Sequence, residues 1–425
     1  MGKYISLGEY NQQYKYIWIY LIIRFIYVFV FTNRLVFDQI KSDLLDFPYG
    51  PFIYPQLDYL AYIIISAFLI IIQKCFIKTK LIKDSNDKQL IFHNIDITDE
   101  YGVEQNDYFL FINLIFVVLV DLFSETLYNF NCTILYYWMF EMLYYEYFHS
   151  RIFKTKIYRH HIFSLIFILS FCSLFRTIYI IIDFTNDTDD AKFFQDRKWL
   201  IPIGIVIYLI FPIFRTFAFS NEKYYLEKRV ISIENYMLFY GIFGFTMCFI
   251  GAIISTFVPC GDNTIPELSK IVCEIKENNT TYYFDSYTLY FEELFSNNFS
   301  RKFILLIIKS ILNYAIIYFI YIIFQKLSPI YYICMHRLCN LIITLLTFIN
   351  DLINDDNYSS IDITLEIFYI LLLLFYIFGS IVYLEFIELN FCNLNFYTRR
   401  KIRTRAKIDI NIMLDDISAN SESIN

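Results

Sequence analysis

The sequence predicts an all-α membrane protein with about ten transmembrane helices, arranged as two inverted five-helix repeats. Of its 425 residues, 57% are hydrophobic and only 18% are charged, whereas soluble domains carry about 25% charged residues. The apolar residues also occur in runs of about 20, the length that a helix needs to cross a hydrocarbon core. These runs are apolar on every side, which is typical of membrane helices and not of the alternating strands of a barrel.

Ten such runs follow one another along the chain. Residues 1–14 are polar and lack the pattern of a cleavable secretion signal. The first five runs form one half of the membrane domain, 15–183, and the last five form the other, 198–386, with a linker at 184–197. Residues 387–425 are predicted to be a basic, then disordered tail. We predict the spans near 15–33, 59–77, 108–128, 132–149, 161–183, 198–219, 235–258, 303–324, 328–349 and 362–386.

The loops alternate in charge, which predicts the orientation of the chain in the membrane. Those after odd-numbered spans are acidic, as with Asp187, Asp189 and Asp190 after the fifth. Those after even-numbered spans are basic, as is the tail, and they include Lys78, Lys80, Lys83, Arg151, Lys154, Lys156, Lys228, Arg229, Arg399, Arg400 and Lys401. Because lysine and arginine accumulate on the cytoplasmic side, we predict that both termini are cytoplasmic. With its basic residues beside membrane spans and a net charge of −7, the chain is not expected to bind nucleic acid.

A long loop over residues 259–302 is predicted on the outer side. It contains Cys260 and Cys273, which would form a disulfide in an oxidising compartment; the alternative is that both cysteines are free. Triplets that begin at Asn278, Asn279 and Asn298 are candidate glycosylation sites, although such triplets also arise by chance in an asparagine-rich chain.

The two halves would enter the membrane in opposite orientations, because five is an odd number. In each half a short connection joins the third and fourth spans, at 129–131 in the first and 325–329 in the second. The two connections lie on opposite sides of the membrane, as inversion requires. An inverted repeat is the arrangement that permits alternating access to a site near the midplane.

Short stretches of the sequence resemble a transporter family. Residues 131–165, NCTILYYWMFEMLYYEYFHSRIFKTKIYRHHIFSL, are similar to the fourth span and basic turn of the drug/metabolite transporter superfamily, in its nucleotide-sugar-transporter-like branch. ENYMLFYGIFGF at 234–245 and FGSIVYLE at 378–385 are similar to protist members of that branch. The resemblance implies a ten-span carrier in the Golgi or endoplasmic reticulum, with the plasma membrane as the alternative. The chain departs from the family in carrying Glu141 where relatives often have a basic residue, and in having only 10 glycines.

Polar side chains within the spans are the candidates for a substrate site, because a charge near the midplane costs roughly 2.5–3.5 kcal/mol and normally faces a cavity or a partner. The candidates are Arg24, Tyr137, Glu141, Lys309, Tyr332, His336 and Arg337. Arg337 and Lys309 would hold a phosphate or carboxylate. The alternative is an internal salt bridge of Glu141 with Arg337 or Lys309. Other charged residues, such as Arg215, are expected to reach towards the membrane surface.

The favoured function is transport of a small, anionic organic solute, such as a nucleotide sugar, by alternating access. The sequence has no glycine-rich phosphate loop, nucleophile elbow or Cys/His metal spacing, so we predict no enzyme activity, no cofactor and no metal. One alternative is a membrane-embedded transferase that uses His149, His160, His161 and Glu146, although a solvated surface patch is the expected state of these residues. The other alternative is a non-transporting scaffold or complex subunit. The expected partners are the lipid bilayer and the solute, and a homodimer is left open.

Overall fold

The computed structural model describes most of the apolar segments of the chain. The described residues are 7–31, 52–80, 108–129, 140–153, 157–185, 200–227, 231–256, 299–354 and 360–387, with 259–260, 282–283, 287, 291 and 295 in the long loop. Almost all of them are helical. The exception in the long loop is a two-residue strand pair, in which β1 (Pro259–Cys260) is antiparallel to β2 (Tyr282–Tyr283) and Cys260 lies opposite Tyr282.

Within these ranges the chain forms ten α-helices, one at each predicted span. They are α1 (Leu7–Phe31), α2 (Ile53–Lys80), α3 (Tyr108–Asn129), α4 (Glu141–Ile152), α5 (Arg159–Thr185), α6 (Leu200–Glu227), α7 (Ile233–Thr256), α8 (Phe299–Lys326), α9 (Pro329–Asn354) and α10 (Ser360–Tyr383). The predicted short connection between α8 and α9 is present. α9 begins at Pro329, where proline costs no hydrogen bond because the first helical N–H has no partner within the helix.

Six of the described helices are long and apolar enough to cross a membrane. The qualifying segments are Pro55–Gln73, Arg159–Ile182, Ile233–Ile254, Lys302–Lys326, Pro329–Ile349 and Ile363–Tyr383. α3 contains a shorter apolar segment, Leu110–Ser124. The described part of the chain is therefore helical apart from the short strand pair, and its six apolar helices indicate a multi-pass integral membrane protein. Spans at α1, α3, α4 and α6 remain predictions.

The outer surface of the bundle is apolar. In the six segments only 22–39% of the residues are buried within the protein. Large apolar side chains lie on the outside, among them Ile64, Phe68, Ile166 and Ile254, each about 60% exposed. A soluble protein rarely exposes so large an apolar surface, and hydrocarbon is the environment in which such side chains are stable.

Two helix pairs make the most extensive contacts, α2 with α7 and α5 with α10. Three of the chain's few glycines lie where these pairs cross. A Cβ at Gly241 would lie 3.0 Å from the Tyr59 carbonyl oxygen of α2, and one at Gly244 would overlap the Tyr59 ring. Similarly, a Cβ at Gly379 of α10 would overlap Ile168 of α5. Without glycine, the backbones could not approach this closely.

The remaining helices join these two pairs into one bundle. α1 packs against α8 and α9, and α6 packs against α3, α4 and α8. α2 also contacts α8, α3 contacts α7, and α9 contacts α4, α8 and α10. The core where they meet is rich in tyrosine, with Tyr20, Tyr145, Tyr236 and Tyr376 each no more than 1% exposed. Each buried phenol therefore places a hydroxyl group in an otherwise apolar interior.

Candidate functional site

Glu141 is the centre of a buried ionic group. It lies at the first residue of α4 and is 2% exposed. Its Oε2 accepts a hydrogen bond from Arg337 Nη2 of α9 at 3.0 Å, and Arg215 Nη1 of α6 lies 3.4 Å from its Oε1. One carboxylate thus joins three helices. Glu141 pairs with Arg337 and Arg215, and its described contacts do not include Lys309.

Arg215 does not reach the membrane surface as expected from the sequence. Its side chain is 19% exposed, and it points to Glu141 and to the ring of Phe219, whose centre is 5.5 Å from the guanidinium carbon. The attraction of a buried carboxylate outweighs hydration at the surface, because charges interact more strongly in a medium of low dielectric constant.

Arg24 of α1 and His336 of α9 extend this group. His336, one residue before Arg337, interacts electrostatically with Arg24, Arg215 and Arg337. The Cζ atom of Arg24 lies 5.6 Å from the centre of the Tyr27 ring. Among the described residues, no carboxylate contacts Arg24, and its Nε atom makes no hydrogen bond. We call Arg24, Glu141, Arg215, His336 and Arg337 the arginine cluster: it contains three guanidinium groups and a single carboxylate.

A cavity of about 70 Å³, with room for a few water molecules, lies beside the arginine cluster. α3, α6, α7, α8 and α9 supply its walls. The polar residues that line it are Asp121, Arg215, Glu222, Tyr240, Tyr321 and Tyr332. Tyr332 links the cavity to the cluster, because its ring centre lies 5.7 Å from that of His336 and 5.9 Å from that of Tyr20.

The carboxylates of the cavity have tyrosine partners. Tyr240 donates a hydrogen bond to Asp121, and Tyr321 donates one to Glu222 Oε1 at 3.0 Å. Arg215 is close enough to Asp121 for their charges to interact. The cavity is therefore lined both by carboxylates that accept hydrogen bonds from phenol groups and by Arg215 of the arginine cluster.

Lys309 belongs to a different polar group. Its Nζ lies 3.7 Å from Asp58 Oδ2 of α2. Asp58 also accepts hydrogen bonds from Ser310 at 2.8 Å and Asn313 at 3.0 Å, both in α8. Asp58 precedes the predicted second span, but α2 begins at Ile53, and Asp58 therefore lies within the helix. These contacts hold α2 against α8.

A third polar group lies where α4 and α10 end and α5 begins. Glu146 accepts a hydrogen bond from Tyr383, and His161 Nδ1 lies 3.6 Å from Glu146 Oε1. His160 Nε2 lies 3.2 Å from Glu385 Oε1. His160 is 3% exposed and Glu146 is 4% exposed, so these residues are not the solvated patch expected from the sequence.

Several predicted residues lie outside the described part of the chain. They are Tyr137, Cys273, Asn278, Asn279 and Asn298. The disulfide, the glycosylation sites and a role for Tyr137 therefore stay predictions. Of the remaining candidates, the structure brings Arg24, Glu141, His336 and Arg337 together, adds Tyr332 at the cavity, and places Lys309 beside Asp58.

Sequence reasoning missed Asp58, Glu222 and Glu385 as partners. Extending the second and sixth helices beyond their apolar runs would have identified Asp58 and Glu222, which lie just outside the predicted spans.

In comparisons with known proteins, no family model matches the chain and no curated protein sequence is significantly similar to it. The functional argument therefore depends on the geometry of the bundle and its polar groups.

Proposed function

We propose that this protein is a ten-span carrier of the drug/metabolite transporter type, which moves a small organic anion across a membrane by alternating access. The observation that supports it most directly is Arg24, a cation within the bundle that contacts no carboxylate among the described residues. The proposal has two parts, an inverted-repeat architecture and an anion site, and a separate set of contacts supports each.

The helix contacts support the inverted repeat. An inverted repeat would pair each helix of the first half with the helix five places later, α1 with α6 and so on to α5 with α10. Exchanging the members of each pair leaves the contacts α2–α7, α4–α9 and α5–α10 unchanged. The same exchange turns α1–α8 into α3–α6, α1–α9 into α4–α6, and α2–α8 into α3–α7, and all six of these contacts are present. Contacts such as α6–α8 and α9–α10 lack a counterpart of similar extent, so the pattern is approximate. Pseudo-symmetry of this kind lets one bundle rock against another around a central site.

The position of the arginine cluster supports a substrate role. Glu141 and Arg337 meet at the α4–α9 contact, which lies on the pseudo-twofold axis of the proposed repeat. Inverted-repeat carriers bind substrate near this axis, at the midplane. Glu141 orients the side chains of Arg337 and Arg215 before a substrate binds, because a buried ion pair fixes the orientation of its members.

The charge of the arginine cluster supports an anionic substrate. The arginine cluster contains three guanidinium groups and one carboxylate, which pairs with Arg337 and Arg215. The nearby carboxylates Asp121 and Glu222 accept hydrogen bonds from Tyr240 and Tyr321. Arg24 thus has donors to offer, and planar guanidinium groups bind phosphate and carboxylate with paired hydrogen bonds. The tyrosines of the cavity provide hydroxyl donors and ring faces for the rest of an organic solute.

The size of the cavity implies a conformational change. A volume of about 70 Å³ is too small for a nucleotide sugar. The bundle must therefore open before such a solute can bind, as alternating access requires.

The proposal is tested by uptake into proteoliposomes that contain the purified full-length protein. The panel consists of labelled nucleotide sugars, nucleoside monophosphates and small carboxylates. We expect saturable uptake of at least one phosphate-bearing class. Arg24→Gln should raise the KM about 10- to 100-fold, because one charge-assisted hydrogen bond contributes roughly 1.5–3 kcal/mol.

The matched control is Lys326→Gln, which removes a cation from the exposed end of α8. It should leave the KM unchanged. If the folded protein takes up no anion from the panel, the carrier proposal is wrong, and a scaffold or a subunit of a larger complex becomes the better interpretation. If uptake occurs but Arg24→Gln leaves the KM unchanged, the carrier stands and the anion site lies elsewhere.

A further inference from the structure

The group of polar residues at the ends of α4, α5 and α10 has the composition of a metal site. His160, His161 and Glu385 each offer one ligand atom, and these atoms all lie within 4.8 Å of one another. Two imidazoles and one carboxylate form a ligand set that zinc uses in proteins, often with water as the fourth ligand. Magnesium and calcium prefer oxygen ligands instead. The chemistry of the set therefore favours a transition-metal ion of the zinc class.

His160 provides independent evidence for a ligand. Its side chain is almost fully buried, yet neither ring nitrogen makes a hydrogen bond. A buried imidazole without a hydrogen bond is costly, and native proteins rarely leave one. A metal ion bound to Nε2, the ring nitrogen that lies beside Glu385, would satisfy that atom.

The distance between His160 and Glu385 fits two ligands of one ion. His160 Nε2 and Glu385 Oε1 are 3.2 Å apart but do not have hydrogen-bond geometry. Ligand atoms about 2.0–2.1 Å from a tetrahedral zinc ion are separated by roughly 3.3 Å. The longer separations to His161, up to 4.8 Å, would close by rotation of its side chain.

The backbone at Glu385 directs this carboxylate to the site. α10 ends in a Schellman motif, in which the Phe386 N–H donates to the Ile381 carbonyl and the Glu385 N–H donates to the Val382 carbonyl. Glu385 has a φ of 63°, a left-handed conformation that normally selects glycine at this position. The chain instead carries a glutamate here, and its side chain reaches the first turn of α5.

We propose that His160, His161 and Glu385 bind a divalent transition-metal ion of the zinc class, which fastens the beginning of α5 to the end of α10. Glu146 lies beside His161 and would hold the imidazole in place through a hydrogen bond, as partners of metal-bound histidines commonly do. The site is separate from the arginine cluster, and it does not depend on the proposed transport function.

Cobalt substitution tests the proposal directly. The full-length protein is purified in detergent, treated with a chelator and titrated with CoCl₂, since tetrahedral Co²⁺ with nitrogen and oxygen ligands absorbs in the visible range. We expect one Co²⁺ per chain, displaced by ZnCl₂ and not by MgCl₂ or CaCl₂. Zn²⁺ at 100 times its Kd should also raise the Tm measurably, because an ion that binds only the folded state stabilises it.

Two variants and one control make the test specific. His160→Gln and Glu385→Gln should each weaken Co²⁺ binding at least tenfold, and Glu385→Gln is expected to fold because this residue lies beyond the last turn of α10. His149→Gln is the matched control, since His149 lies nearby in α4 but outside the set of three. Binding that is absent in the native chain, or that survives in both variants, would overturn the proposal.

Discussion

Glu141 and Arg337 are 196 residues apart in sequence, yet their side chains form a hydrogen bond of 3.0 Å. Each is the tenth residue of its predicted span, 132–149 and 328–349 respectively. Both are buried, at 2% and 6% exposure. The pair therefore makes two distant segments of the chain depend on one another, and it provides the first of four predictions.

Loss of one member of this pair should destabilise the protein. Glu141→Leu leaves Arg337 and Arg215 without their shared carboxylate, and Arg337→Met leaves Glu141 with a weaker partner. Glu141→Leu should lower the free energy of unfolding by about 3–5 kcal/mol, because it removes the shared partner of a buried ion pair. Arg337→Met should cost less, because Glu141 keeps Arg215. Unfolding in mixed micelles by increasing amounts of SDS measures this quantity.

The double variant Glu141→Leu with Arg337→Met is the control for that experiment. It should lose less stability than the sum of the single variants, because it leaves fewer unpaired charges. Additive losses would show that the two residues act independently, which contradicts the observed hydrogen bond.

Asp58 should be essential for the contact between α2 and α8. Asp58→Ala removes the acceptor of two hydrogen bonds and the partner of Lys309, which we expect to cost about 2–4 kcal/mol. The same SDS titration measures the loss. Adding Lys309→Met should recover part of it, because it removes a buried cation that has lost its contact with Asp58. No recovery would mean that Lys309 does not depend on Asp58.

Gly244 should not tolerate a side chain. A Cβ there would overlap the Tyr59 ring, so Gly244→Val should cost about 1–3 kcal/mol through overpacking. Thr246→Val is the matched control, because Thr246 lies in the same helix with an exposed side chain. Thermal denaturation followed by size-exclusion chromatography compares the two. Equal Tm values for the two variants would contradict the close approach of α2 and α7.

The predicted topology places both termini on the cytoplasmic side. Protease protection of tags fused to each end, in sealed microsomes, should give the same result for both. An even number of spans requires this agreement, and protection of one tag alone would mean that the number of spans is odd.

Glycosylation at Asn298 would place residues 259–302 on the outer side. The measurement is a glycosidase-sensitive mass shift of the native chain that is lost in Asn298→Gln.

The sequence was sufficient to predict where the helices lie. Apolar runs of about 20 residues have few alternatives to a membrane helix, and each of the ten predicted spans contains a described helix. The ends were less predictable. Hydropathy falls at Asp58 and at Glu222, but the helices continue, because buried polar partners in α8 replace the water that these carboxylates would otherwise require.

The pairing of charges was predictable only in part. A shared position in equivalent spans singled out Glu141 and Arg337, whereas Lys309 was assigned to the same group and instead lies beside Asp58. The rotation of a helix about its axis decides such pairings, and an apolar run that is hydrophobic on every side contains little information about that rotation. The burial of His160 was missed for the same reason.

The two most extensive helix contacts have a consequence for biosynthesis. α2 packs on α7 and α5 packs on α10, so each of these two helices of the first half has a main partner that the ribosome makes later. The first half therefore cannot complete these two contacts as it is inserted, and one face of α2 and of α5 stays uncovered by protein until α7 and α10 follow. For these two contacts, assembly therefore depends on the docking of helices from the second half.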